Sequence, residues 1–168
     1  GQVDRLVTHG FIHADGMHLF FNMFTLFSFG QVMERFFAER VGWIGFVLFY
    51  LAAILVAILP TFFKHRNNPR YSSLGASGAV SAVVFAYVLL APWSTLWVFF
   101  IPVPAIIFAG LYVAYSVWAD GQGRGSINHS AHLVGGIFGM LATIIIEPAV
   151  IGHFFQALLH PQFLGFGS

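Results

Sequence analysis

Three short polar groupings interrupt a sequence that is otherwise strongly apolar: His18 with Asn22, Ser77 inside Gly75-Ala76-Ser77-Gly78, and His132 inside Ala131-His132-Leu133-Val134-Gly135. A serine hydroxyl is a weak nucleophile until a base takes its proton, and an imidazole within hydrogen-bond reach can do so and then pass the proton to a leaving amine. Ser77 and His132 are therefore the candidate catalytic pair. Glycines on both sides of Ser77 remove side-chain bulk where a substrate carbonyl must approach. His18 and Asn22 lie four residues apart, on one face of a helix. Together with the Ser77 amide they are candidate oxyanion donors, each worth about 10²–10³ in rate.

A third, carboxylate member is not expected. Asp4, Asp15 and Asp120 read as loop residues, while Glu34 and Glu147 fall at the far ends of their segments. The expectation is a Ser77–His132 dyad with no metal and no organic cofactor. His9, His13 and His18, joined by His129 and His132, offer a rival metal-ligand reading, that of a His-lined metal transporter. That reading leaves the glycine-flanked serine without a purpose. A His-Glu-x-x-His zinc motif is absent, as is any pair of aspartates within the apolar segments. His9 and His13 are expected to tie down the entry loop, and His65, His153 and His160 to lie at an interface.

The elements that must carry these groups follow from composition. Of 168 residues, 58% are hydrophobic and 8% charged, against about 25% charged in soluble domains. So much apolar surface calls for lipid as solvent. A formal charge of +1 without a basic run excludes nucleic acid as a partner, and the absence of cysteine removes disulfides and thiolate chemistry. Five charge-free stretches approach the length needed to cross a bilayer: 16–33, 43–63, 74–91, 95–118 and 131–146. Asn67-Asn68-Pro69, Pro92 and the run Asp120-Gly121-Gln122-Gly123-Arg124-Gly125 separate them, and Trp43, Trp93, Trp97 and Trp118 mark their ends. Residues 149–160 read as a short interfacial helix after the Glu147-Pro148 stop. The expected architecture is a single all-α, polytopic transmembrane bundle over residues 1–168.

Parity then places the chemistry. The chain crosses the bilayer twice between the first and third spans and twice more between the third and fifth, so His18, Ser77 and His132 share one membrane face. Gly135 and Gly139 form a small-xxx-small stripe, faced by Ala76, Ala79 and Ala82, that lets two lipid-embedded helices approach closely. Pro102 and Pro104 are expected to interrupt the fourth span and make it a mobile gate for a substrate helix against the first span.

With these residues in place, the sequence resembles the rhomboid family of intramembrane serine proteases. The likeness rests on His18-x-x-x-Asn22, Gly75-x-Ser77-Gly78 and Ala131-His132-x-x-Gly135 followed by Gly139, and runs from about Arg5 to Ile146. It implies a six-helix core, here without the usual first helix and the long loop after it. It also implies a Ser77–His132 dyad assisted by His18 and Asn22, and cleavage of single-pass or other transmembrane proteins in a laterally opening, water-filled cavity. Family topology points the site to the outer face, and a bacterial inner membrane is the expected location. The same topology leaves five of the seven basic residues, Arg5, Lys64, Arg66, Arg70 and Arg124, on the reactive side and only Arg35 and Arg40 opposite, the reverse of the positive-inside pattern. Many relatives place a tyrosine four residues after the nucleophile to stack on the base. Here that position is Ser81, and Tyr87 or a phenylalanine is expected to hold His132 instead. The rival within the family is a non-catalytic binder of transmembrane helices.

Overall fold

Asp15 starts the first long helix: its side chain accepts a hydrogen bond from the His18 amide at 2.8 Å, satisfying one of the donors a helix N-terminus leaves free. In the computed structural model, residues 4–68, 71, 73–98, 100–122 and 128–161 are described. They form α1 (Arg5–Thr8), a 3₁₀ turn (His9–Phe11), α2 (Gly16–Val41), α3 (Gly45–His65), α4 (Ser77–Leu90), β1 (Thr95–Val98), β2 (Ile101–Pro104), α5 (Ala105–Gln122), α6 (His129–Ile146) and α7 (Ala149–Leu159). Pro69, Arg70 and the stretch Gly123-Arg124-Gly125, all assigned above to connections, lie outside the described residues.

The charge-free stretch 16–33 is only the first part of its helix. Glu34, Arg35, Glu39 and Arg40 are good helix formers and carry α2 on to Val41, where Gly42 at φ +89° ends it. Arg40 crosses to the other end of the chain, donating from Nε to Glu147 Oε2 at 3.2 Å with its guanidinium over the Phe36 ring. Both α3 and α6 are long and apolar enough to cross a membrane.

Helix α4 begins at Ser77 rather than at Leu74, because Gly75 adopts φ +107°, a left-handed conformation that glycine enters without steric cost. Its 14 residues rise about 21 Å, less than the roughly 30 Å of a bilayer core. The shortness is tolerable because α4 is the central helix, packed by α2, α3, α5, α6 and α7, with only Ser77, Tyr87 and Leu90 not fully buried. Its far end is closed by α7. There, Trp93 Nε1 donates to the Ala157 carbonyl at 2.9 Å and His153 Nε2 donates to the Leu90 carbonyl at 2.8 Å. His153 thus serves a helix end.

The stretch 95–118 is not one span. Thr95–Val98 and Ile101–Pro104 pair as an antiparallel hairpin, with Pro104 opposite Thr95 and Pro102 opposite Trp97. Proline lacks an amide hydrogen and pushes the residue before it into extended conformations, which suits Ile101 and Val103 to a strand. Pro102 and Pro104 therefore precede α5 instead of breaking it, and the gate built on an interrupted helix is withdrawn. At its other end α5 runs past Trp118 to Gln122.

Helices α4 and α6 make the most intimate contact in the bundle. A Cβ on Gly135 would collide with the backbone carbonyl of Gly78, and one on Gly139 with that of Ala82. Gly78 in turn leaves no room for a side chain, since a Cβ there would lie 2.7 Å from Ala57 Cβ and 3.2 Å from the Ala131 carbonyl oxygen. Gly135→Ala should therefore lower stability by about 1–3 kcal/mol through overpacking against backbone. Gly152→Ala, in open space on α7, should be neutral or stabilising by about 0.5–1 kcal/mol. Unfolding midpoints of the two variants in the same detergent check the contrast.

Candidate active site

Ser77 is the first residue of α4 and His132 lies in the first turn of α6. The glycine-lined approach of these helices brings His132 Nε2 to 2.6 Å from Ser77 Oγ. This is the geometry of a nucleophile and its base, 55 residues apart in sequence. As the first helical residue, Ser77 has an amide with no acceptor inside its own helix, so that N–H is available to a developing oxyanion.

His132 Nδ1 is buried and has no hydrogen-bond partner. Among the described residues no carboxylate orients the ring, and rings do so instead. Tyr112 of α5 stacks on it, with centroids 6.0 Å apart and planes 25° apart, and His129 presents an edge at 6.1 Å. The Tyr112 hydroxyl lies 3.3 Å from Ser81 Oγ, one turn after Ser77. Tyr87 is not the support expected for His132, since it packs against Phe29 with centroids 5.0 Å apart. The support comes from a different helix, which the small side chain at position 81 leaves room to approach.

His18 and Asn22 stand on α2 and line the same cavity as Ser77 and His132, a space of about 910 Å³ that also reaches Thr25, Ser81, Phe108, Tyr112 and Asn128. A Cβ on Gly75 would lie 2.5 Å from His18 Cε1 and 2.8 Å from Nε2. The bareness of Gly75 therefore accommodates His18, and that of Gly78 accommodates α3 and α6, where the sequence suggested space for substrate. Asn22 is buried and donates one Nδ2 hydrogen to the His18 carbonyl at 3.0 Å, which leaves it a second.

Ahead of α2, His9 holds two segments together. Its Nδ1 donates to the Arg5 carbonyl, and its own carbonyl accepts from the Gly75 amide, both at 3.0 Å. Burial lowers the pKa of His9, and burial with the nearby His18 lowers that of His13. His13 meets His18 edge to face at 5.1 Å. His65 stacks on Tyr71 at 3.8 Å. Among the described residues no three His, Cys, Asp or Glu converge as a metal-ligand set.

Two residues of the site went unnoticed in the sequence. One is Tyr112; its only signal is the Phe108–Tyr112 spacing of one helical turn. The other is Asn128, whose Oδ1 caps α6 by accepting from the Ala131 amide at 3.0 Å. An Asn four residues before His132, at the head of an apolar run, is a legible cap signal.

Comparison with known proteins identifies the family. Residues 1–149 match the family model described as the Rhomboid domain. The chain is 33% identical over 156 residues to "RHOMBOID-like protein 12, mitochondrial" of Arabidopsis thaliana, covering 84% of this chain and 46% of that protein. It is 30% identical over 155 residues to "Rhomboid protein 1, mitochondrial" of Saccharomyces cerevisiae, covering 86% and 42%. It is also 30% identical over 135 residues to "Presenilin-associated rhomboid-like protein, mitochondrial" of Mus musculus, covering 77% and 34%. The chain thus spans less than half the length of these relatives. No solved structure matches it. The names of these relatives are organellar and give no support to the bacterial inner membrane expected from sequence. Family model, identities and fold agree: the chain is an integral membrane protein and belongs to the rhomboid family.

Proposed function

We propose that the chain is an intramembrane serine endopeptidase that cuts transmembrane segments of other membrane proteins, with Ser77 as nucleophile and His132 as base. The observation that carries this reading is the 2.6 Å contact between Ser77 Oγ and His132 Nε2 at the wall of a 910 Å³ cavity. Ser77 Oγ attacks the scissile carbonyl as its proton passes to His132 Nε2. The resulting oxyanion takes hydrogen bonds from the Ser77 amide and from the His18 and Asn22 side chains. Collapse of this intermediate breaks the C–N bond, with His132 returning the proton to the leaving amine. Water, activated by the same imidazole, then attacks the acyl-enzyme and releases Ser77. The scheme uses no metal and no organic cofactor. A substrate helix keeps its carbonyls in internal hydrogen bonds, so the scissile stretch must unwind before attack, and the polar wall formed by His18, Asn22, Thr25 and Ser81 can take up the freed groups.

Tyr112 enters this scheme through the imidazolium that forms as bonds change, because an aromatic face attracts a cation. A fluorophosphonate probe should label the purified chain. Ser77→Ala should abolish labelling, and His132→Ala should slow it by about 10²–10⁴. A chain that binds transmembrane helices without cutting them would show no labelling at all. Tyr112→Phe, which keeps the ring, should turn over a model transmembrane substrate nearly as fast as the unmodified chain. Tyr112→Leu should lower kcat about tenfold, with KM little changed.

A further inference from the structure

Ser77 and His132 both occupy the first turn of a helix, where the backbone is held by fewer hydrogen bonds than farther along. Something besides their own contact must fix the distance between them. The head of α4 has no side-chain cap. The head of α6 has Asn128, whose amide is fully used. Its Oδ1 accepts from the Ala131 amide at 3.0 Å and from Thr61 Oγ1 at 3.1 Å, while its Nδ2 donates to Thr61 Oγ1 at 2.9 Å and to Ser73 Oγ at 3.1 Å. Ser73 precedes Ser77 by four residues, and Asn128 precedes His132 by four. The segment leading into α4 is thus joined to the start of α6 by two hydrogen bonds with the same sequence offset on each side, Ser73–Asn128 and Ser77–His132. Thr61, buried near the end of α3, fixes the orientation of the Asn128 amide from behind.

From this pairing we propose that Ser73 and Asn128 form a register clamp for the dyad: they are positioning residues that hold Ser77 Oγ at bonding distance from His132 Nε2. The proposal rests on the protease reading above. Without the clamp the two helix heads stay packed through Gly78 but hold a looser register, and the nucleophile meets its base in a smaller fraction of molecules. The loss falls on the acylation step and spares substrate binding.

The test uses the full chain in detergent, a fluorophosphonate probe and a model transmembrane substrate. Ser73→Ala removes one bond of the clamp and leaves the α6 cap in place. Asn128→Ser keeps a capping oxygen and has no atom in the place of Nδ2 to reach Ser73. Each should slow Ser77 labelling and lower kcat about tenfold, the rate equivalent of one neutral hydrogen bond, with KM and the melting temperature unchanged. Ser73→Thr, which retains the hydroxyl, should restore the rate. The clamp is overturned if both variants react like the unmodified chain, if the loss appears in KM alone, or if it follows a fall in melting temperature that Ser73→Thr does not recover. An unmodified chain that fails to label at Ser77 would instead defeat the protease reading itself.

Discussion

Everything at the site depends on how closely two backbones approach. With Gly135 under the Gly78 carbonyl and Gly139 under that of Ala82, α4 and α6 run nearer to each other than any side chain would permit. In lipid there is little hydrophobic gain from bringing helices together, so such contact relies on dispersion between well-fitted surfaces. Only at this separation can a short hydroxyl on one helix reach an imidazole on the next. The same contact explains why a long helix was not needed to carry Ser77, since α4 is enclosed by protein along most of its 14 residues. Lipid does not set its length; its neighbours do.

The polar groups follow a common arrangement. Ser77, His132 and His18 each stand in the first turn of a helix, where the backbone has fewer hydrogen bonds than farther along. Asp15 and Asn128 each take one first-turn amide, that of His18 and that of Ala131. The heads of α2, α4 and α6 thus supply side chains to the same space.

Much of this was legible in sequence because it depends on spacing and span count alone. Ser77, His132, His18 and Asn22, picked out by residue type and spacing, line one cavity. What escaped depends on contacts between distant segments or on reading an apolar run too simply. Thr95–Trp118 contains no charge, so hydropathy treats it as one span, although Pro102 and Pro104 carried the signal for an extended start. Glu34 to Arg40 broke the apolar criterion without breaking the helix, because their propensity is helical and Arg40 finds Glu147. Tyr112 could not be assigned to His132, since nothing local in α5 records which ring it will face.

The missing acceptor at His132 Nδ1 has a cost and a benefit. A carboxylate there would have been a permanent ion in a medium that penalises ions by several kcal/mol each, and it would have needed a solvation shell of its own. Leaving the position to aromatic neighbours spares the protein that standing charge, and under the proposed mechanism a charge forms there only during bond exchange. If His132 serves as the proposed base, such economy limits how strongly it can pull on the Ser77 proton.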